Sequence, residues 1–430
     1  MTFEESKISG SERERKMTYR KVPIMKPYFD EEEAKAAAEA LASGWVAQGP
    51  RVAEFEKAVA AHEGCAFGVA TTNCTTALHL LMVAMGFGPG QDVIVPSFTF
   101  VATGNAVEYT GAAAVLADVD PVTFNINVSL LDDFVAERYA CRDGKWINKK
   151  TGNRLSGIVP VNEFGLCADI PAVNDFAKRY GGLKVIEDSA CALGAKIGDT
   201  HQGGFGNPSA VSFHPRKSIS TGEGGMALIN DPELAEHVRI LRSHAASVSE
   251  VQRNAGKGYL LPEYNELGFN YRMTDIQGAI GCAQMKKLDF IAARRAELAH
   301  RYDRLLPDAV PWVRTPFVPE GYTHIYQTYC TMVIPEAVKC KTVDEANAFR
   351  NEWMDRLEQA GIATRQGTHA LHTLGYYVNK YGYRHEDLPG AYACDRLSLA
   401  IPLYVEMTEE DQDYVIEQMA EIAADMLKNE

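Results

Sequence analysis

The sequence predicts an α/β protein with a large domain built on a seven-stranded, mostly parallel sheet covered by helices, followed by a smaller α+β C-terminal domain. Two observations predict the large domain: seven short apolar runs, and helical segments that separate them. A third is the change of composition at the proline-rich segment PDAVPWVRTPFVPEGY, which begins at Pro307. It places the boundary between residues 306 and 307.

The elements follow from the N-terminus in order. Residues 1–22 are charge-dense with few apolar anchors and predict a mobile tail. The large domain, residues 23–306, opens with two helical segments and then presents the strand-like runs CAFGVA, DVIVP, AAVLADV, GIVPV, KVIED, AVSFH and GMALIN. A single long helical stretch from Thr274 ends it, and residues 141–157 predict a surface hairpin or loop insertion. Residues 307–430, the small domain, mix strands with helices.

Composition excludes several classes of function. Lys and Arg number 43 against 57 Asp and Glu, a net charge of -14, so a nucleic-acid partner is not expected. The nine cysteines never form a C-x-x-C pair, which argues against a disulfide framework or a zinc site and favours a cytoplasmic protein. Neither a signal peptide nor an apolar run of about 18 residues is found, so no membrane association is expected.

Three strand ends carry polar residues where α/β sheets bind ligands. The run KVIED ends at Asp188, whose carboxylate can hold a protonated ring nitrogen or simply cap the next helix. In ATTNCTTALHL a strand feeds a helix, so the N–H groups around Cys74 and Thr75 form a cup for phosphate, unless Asn or Thr side chains merely cap the helix. Both alternatives stay open for each motif.

The third strand end is the loop SFHPRKSISTGEGG, which runs from Ser212 to Gly225 between two apolar strands. Its lysine, Lys217, can form a Schiff base with an aldehyde if its pKa is lowered; the alternative is an ordinary surface lysine. Together with Asp188 and the phosphate cup of Cys74, Thr75 and Ser212, this amine fits pyridoxal 5'-phosphate. The order of cup, acid and lysine along the chain is that of the aspartate-aminotransferase-like fold.

Six motifs resemble those of the DegT/StrS-type sugar aminotransferases, and they extend from about Pro23 to about Ile416: SGWVAQGPRVAEFE, NCTTALHL, PSFTFVATGNAV, VIEDSACALGA, SFHPRKSISTGEGG and LGFNYRMTDIQGAI. The resemblance implies fold type I of the pyridoxal-phosphate enzymes. It also implies transfer of an amino group from glutamate or glutamine to a keto-sugar, usually nucleotide-linked, in the biosynthesis of amino sugars, cell-surface polysaccharides or glycosides.

The same resemblance assigns roles to individual residues. Lys217 matches the Schiff-base lysine, Asp188 the partner of the pyridine nitrogen, and Thr75 and Ser212 the phosphate contacts. Phe100 matches the aromatic ring that stacks on the cofactor. Asn270 and Arg272 match a segment that reaches the phosphate of the neighbouring subunit in a homodimer with shared sites; Arg272 pairing with an acid is the alternative.

The chain also departs from the family pattern. Cys74 replaces a glycine of the phosphate cup, and Cys191 replaces a residue that touches the ring hydroxyl, where a thiol makes a weaker hydrogen bond. Residues 162–166, NEFGL, differ from the usual motif near the substrate. In the small domain, Arg365, His369 and His372 are candidate sugar or nucleotide contacts, with surface positions as the alternative. The two histidines, expected three apart on a helix, lack a third metal ligand, so no metal is expected there.

Two rival classes of function remain. One is another pyridoxal-phosphate enzyme on this scaffold, a sugar dehydratase or an aminotransferase that forms aminocyclitols or aromatic amines. Relatives that dehydrate sugars replace the lysine by histidine, and the presence of Lys217 favours amino transfer. The other class is a non-catalytic regulatory protein, which loss of Lys217 or Asp188 would have favoured.

Overall fold

The structure, a computed structural model, describes residues 20–247 and 262–428. Its large sheet has seven strands, which are in spatial order Phe67–Thr71, Gly225–Ile229, Ser209–Ser212, Lys184–Val185 continuing as Glu187–Asp188, Arg154–Ile158, Gln91–Pro96 and Ala113–Ala117. The two halves join because Ile186 N–H donates to the Ile158 carbonyl at 3.2 Å. Every pairing is parallel except the two made by Gly225–Ile229. The predicted seven-stranded, mostly parallel sheet is confirmed.

Helices cover both faces of this sheet and continue into the C-terminal part of the chain. They are Glu31–Ser43, Pro50–His62, Cys74–Ala84, Ala102–Tyr109, Leu131–Arg138, Ile170–Arg179, Pro232–Arg242, Asp275–Met285, Leu288–Ala309, Val343–Gln359, Gly375–Tyr381, Pro389–Leu397 and Glu409–Met426. Single 3₁₀ turns cover Val128–Leu130, Glu163–Gly165, Leu371–Thr373 and His385–Asp387. Within the described residues, no helix is long and apolar enough to cross a membrane.

Smaller sheets complete the fold. In the C-terminal part, Val313–Arg314, Tyr329–Val333 and Ser398–Ile401 form an antiparallel sheet, which helices Val343–Gln359, Pro389–Leu397 and Glu409–Met426 accompany. Other pairings are Phe98–Thr99 with His369–Ala370, and Lys196–Ile197 between Thr200–His201 and Tyr322–Thr323. The strand Phe98–Thr99 therefore ties the C-terminal part directly to a loop of the large sheet.

Several local expectations can be compared with the structure. The hairpin predicted within residues 141–157 is found as Tyr139–Arg142 paired with Lys145–Asn148, and Ile147 pairs with Arg154 at the start of strand Arg154–Ile158. The single long helix predicted from Thr274 is wrong, because the chain forms two helices that break between Met285 and Leu288. The second of these continues through the predicted boundary at Pro307.

The predicted N-terminal tail lies mostly outside the described residues, which begin at residue 20. Of its last residues, Val22 is completely buried and its backbone pairs with Ile362. The first part of the chain that can be described is thus already attached to the C-terminal part.

Candidate active site

A cavity of about 560 Å³ lies at the carboxyl edge of the large sheet, where the strands ending at Thr71, Asp188 and Ser212 terminate together. We call it the lysine cavity. Its lining includes seven of the residues predicted from sequence: Cys74, Thr75, Phe100, Asp188, Cys191, Ser212 and Lys217. Residues from four widely separated stretches of the chain converge here because parallel strands bring their carboxyl ends to one edge.

One end of the cavity is formed by the N-terminus of helix Cys74–Ala84. Asn73 caps this helix by accepting a hydrogen bond from Thr76 N–H at 2.9 Å. The first N–H groups of a helix have no acceptor within it, so those of Cys74 and Thr75 are suited to an anion. Gly225 lets its strand pass here, because a Cβ at this position would lie 2.3 Å from the Asn73 carbonyl carbon.

Asp188 is a buried residue of the same lining. Its Oδ2 accepts a hydrogen bond from Thr103 Oγ1 at 2.7 Å, and its Oδ1 accepts one from Ala190 N–H at 3.1 Å. Burial raises the pKa of Asp188 above its ordinary value, although both hydrogen bonds and the charge of Lys217 act to lower it. A cationic group in the cavity would favour the ionised carboxylate further.

Lys217 points its amine into the same cavity, where Nζ lies 3.1 Å from Cys191 Sγ. Burial acts to lower the pKa of Lys217, but the electrostatic interaction and hydrogen bond with Cys191, together with the proximity of Cys74 and Glu163, act to raise it, and the pKa of Lys217 is raised overall. The lowered pKa that the sequence analysis required is therefore not found. The ammonium must lose a proton before this nitrogen can attack a carbonyl carbon.

Sequence reasoning did not select Glu163, although its side chain is buried and lines the lysine cavity. Its backbone N–H donates to Asn125 Oδ1 at 2.9 Å, which holds the 3₁₀ turn Glu163–Gly165 against the site. Burial raises the pKa of Glu163 to about 8, with Asp188 adding to the shift and Lys217 opposing it. The signal that marks it was the unusual NEFGL segment, but only the structure shows which of its side chains faces the cavity.

This buried carboxyl leads to a prediction about stability. The unfolded chain releases the Glu163 proton near its ordinary pKa of 4.5, whereas the folded protein retains it to about 8. Folding stability is therefore lost as pH rises between these values and levels off above them. Glu163→Gln removes this loss, so we expect the Tm of the variant minus that of the parent to increase by roughly 1.5 °C per pH unit between pH 5 and 8.

Thermal unfolding followed across this pH range measures the difference. The control is Glu320→Gln, which makes the same substitution at an exposed position outside both cavities. A Tm difference for Glu163→Gln that does not change with pH would show that this carboxyl ionises normally in the folded protein.

A second, smaller cavity of about 170 Å³ adjoins the first. We call it the arginine cavity, because Arg216 and Arg365 both line it. Burial and then the charge of Arg365 lower the pKa of Arg216, so the two guanidinium groups disfavour one another. An anion bound between them would relieve that repulsion. Of the substrate residues predicted in the small domain, Arg365 is thus placed at the site.

The other predicted residues do not line either cavity. His369 is exposed on strand His369–Ala370, whereas His372 is completely buried and its Nδ1 lies 2.8 Å from Ser97 Oγ. They do not share a helix, contrary to expectation. Asn270 is exposed and Arg272 half-buried, and Arg272 pairs through its backbone with Thr71, next to the phosphate cup. A role for them across a subunit interface stays a prediction.

Comparison with known proteins gives a consistent result. The model of the DegT/DnrJ/EryC1/StrS aminotransferase family matches residues 27–420. The chain is 33% identical over 401 residues to the spore coat polysaccharide biosynthesis protein SpsC of Bacillus subtilis, covering 93% of this chain and 97% of that protein. It is also 33% identical over 403 residues to the GDP-perosamine synthase of Caulobacter vibrioides, covering 94% and 98%.

Among solved structures, the aminotransferase TlmJ from Streptoalloteichus hindustanus superposes with a TM-score of 0.79 at 30% identity, covering 95% of this chain and all of that one. The match therefore includes both the large sheet and the C-terminal part. Because the family model and these relatives extend over nearly the whole chain, the protein is an aminotransferase and belongs to the DegT/DnrJ/EryC1/StrS aminotransferase family.

Proposed function

We propose that this enzyme uses pyridoxal 5'-phosphate to transfer an amino group from glutamate or glutamine to a nucleotide-linked keto-sugar. One observation carries the proposal: the lysine and arginine cavities share a wall, so that a reactive amine and a pair of guanidinium groups face one connected space. The residues that line both are Phe100, Glu163, Cys191, Arg216 and Lys217.

The residues of the lysine cavity fit the cofactor. The N-terminus of helix Cys74–Ala84, with Thr75 and Ser212, would hold its phosphate. The buried Asp188, held by two hydrogen bonds, would accept a hydrogen bond from the protonated ring nitrogen. The partly exposed ring of Phe100 would stack on the cofactor. The close approach allowed by Gly225 supports this assignment, because it keeps the backbone of the phosphate cup accessible.

The mechanism assigns a separate task to each side chain. When bound, pyridoxal phosphate supplies an electron sink for carbanion charge. Asp188 keeps a proton on the ring nitrogen through its negative charge. Lys217 Nζ takes the proton from the α-carbon of the amino donor, and it returns a proton to the keto carbon of the acceptor after amination.

Recognition of an anionic substrate falls to the arginine cavity. Guanidinium groups bind phosphate and carboxylate oxygens through paired N–H donors, so Arg216 and Arg365 suit the diphosphate of a nucleotide sugar or the carboxylate of the donor. The name of the Caulobacter relative, GDP-perosamine synthase, supports a nucleotide-linked acceptor. The same proposal includes a homodimer in which Asn270 and Arg272 reach the partner's phosphate site, and a division of each chain near residue 307.

Product analysis tests the function. The purified enzyme is given glutamate or glutamine labelled with ¹⁵N at the α-amino group, together with nucleotide-linked and free keto-sugars, and we expect ¹⁵N to enter only the nucleotide-linked sugars. Arg365→Gln should raise KM for those acceptors about tenfold or more, since a charge-assisted contact is lost. Arg314→Gln, outside both cavities, is the control.

Three results would contradict the proposal in different ways. Equal amination of the free sugars would show that the acceptor does not need a linked nucleotide. Loss of a hydroxyl without nitrogen transfer would identify a dehydratase. Amination only of keto-cyclitols or aromatic-amine precursors, offered in a parallel assay, would identify the other kind of aminotransferase.

A further inference from the structure

Away from the active site, two histidines and a glutamate meet where helix Pro50–His62 ends. His62 is the last residue of the helix, the completely buried Glu63 is its C-cap, and His201 comes from strand Thr200–His201. One ligand atom from each lies within 4.8 Å of the others. None of the three residues lines the lysine or the arginine cavity.

The Nδ1 atom of His201 is the unusual feature of this cluster. It is buried and has no hydrogen-bond partner among the described residues. The nearest carboxylate oxygen, Glu63 Oε2, is 3.7 Å away, which is too far for a hydrogen bond. Ligand atoms held at 2.0–2.1 Å around a tetrahedral ion are separated by about 3.4 Å, so the observed spacing suits two ligands of one metal.

The cluster also has the outer hydrogen bonds that metal sites use. Nε2 of His62 lies 3.1 Å from Asp289 Oδ1, which leaves Nδ1 to face Glu63 Oε1 at 2.7 Å. A carboxylate that accepts the Nε2 proton fixes the imidazole with Nδ1 as ligand. Gln202 Nε2 donates to Glu63 Oε2 at 2.6 Å and orients that carboxylate in the same way.

A protonated His62 between two carboxylates would explain its own contacts without a metal. That arrangement, however, would leave the buried His201 Nδ1 without a partner, and buried polar atoms seldom lack one. An ion that binds both imidazoles accounts for all three side chains. The His62–Glu63 contact then lengthens from hydrogen-bond distance to the separation of neighbouring ligands.

We propose that His62, Glu63 and His201 bind one divalent cation, with Zn²⁺ as the ion that two imidazoles and a carboxylate favour. A water molecule completes the four-coordinate shell. The ion connects the end of helix Pro50–His62 to the chain at residue 201, and two residues further on Gly203 N–H donates to Glu187, next to Asp188. His201 is far in sequence from the adjacent pair His62 and Glu63, which is why cysteine and histidine spacing predicted no metal.

Calorimetric titration of the chelator-treated, full-length protein with Zn²⁺ tests the site. We expect one Zn²⁺ per chain and a Tm increase of about 3 °C at a free Zn²⁺ concentration one hundred times Kd. Co²⁺ should give the visible bands of a tetrahedral ion without a thiolate charge-transfer band, which excludes the cysteines as ligands.

Variants assign the ligands. His201→Gln should abolish the binding, and Asp289→Asn should weaken it roughly 10- to 100-fold, as expected for a partner that only orients a ligand. Because the Asp289 side chain is exposed, this substitution leaves the fold intact. His237→Gln is the matched control, since His237 also pairs with a carboxylate, Glu266 at 3.0 Å, but the described part of the chain offers no third ligand there.

Absence of stoichiometric Zn²⁺ binding would overturn the proposal. So would binding that both His201→Gln and Asp289→Asn retain unchanged, because the ion would then be held elsewhere.

Discussion

Lys217→Ala is expected to lower the rate of amino transfer by at least about 10⁴-fold, because one side chain supplies both the group that holds the aldehyde and the group that moves the proton. The half-reaction with glutamate or glutamine alone measures this without knowledge of the acceptor. In the parent protein the visible absorbance of bound pyridoxal phosphate should change when the donor is added. In Lys217→Ala the lysine-linked absorbance band should be missing from the start.

Two further variants make the result specific. Lys217→Arg keeps the positive charge but should remain inactive, since a guanidinium at neutral pH neither attacks an aldehyde nor transfers a proton. Lys178→Ala is the control, because Lys178 is exposed and pairs only loosely with Asp175 at 3.4 Å. Full donor turnover by Lys217→Ala would remove the proposed mechanism altogether.

Asp188→Asn should have the second largest effect, a loss of roughly 10²- to 10³-fold in turnover with the cofactor still bound. Asparagine keeps the shape of the side chain but cannot stabilise a positive charge on the ring nitrogen. We expect the absorbance of the bound cofactor to titrate at lower pH in the variant, because the proton on the ring nitrogen is lost more easily. Stopped-flow rates of the donor half-reaction and a spectral pH titration measure the two effects.

The residue that positions this carboxylate provides a graded comparison. Thr103 donates to Asp188 Oδ2 at 2.7 Å, and Thr103→Val removes that hydrogen bond without removing the charge. We expect about a tenfold loss of rate for this variant, corresponding to one hydrogen bond to a charged group. Equal losses for Thr103→Val and Asp188→Asn would mean that geometry, and not charge at Asp188, limits the reaction.

Much of the scaffold could be predicted from the sequence because it depends on short-range patterns. Each of the seven apolar runs became a strand of the large sheet, since a strand covered on both faces needs a continuous apolar segment. The positions of Cys74, Thr75, Asp188 and Lys217 around one cavity also agree with their local motifs. The helix break near Lys286 did not, because a helical pattern in sequence does not show where tertiary packing divides it.

Other features depend on contacts between distant parts of the chain. Glu163 and Arg216 lie in one cavity wall because the turn after strand Arg154–Ile158 comes close to the loop that contains Lys217, and no local pattern encodes that proximity. His372 resembled a substrate residue in sequence, yet the structure buries it against Ser97. The proximity of His62 and His201 has the same origin. Their chain neighbours Glu63 and Gln202 are hydrogen-bonded although 139 residues separate them in sequence.

Sequence alone was sufficient to determine the α/β class, the aminotransferase motifs and the amine and carboxylate at the centre of the site. These depend on periodicity and on residues fixed at strand ends, both of which are local properties. Only the tertiary structure decided which side chains share the cavity, that burial raises the pKa of Glu163, and where two histidines face one glutamate. Burial and proximity set those properties, and both arise only when segments far apart in the chain pack together.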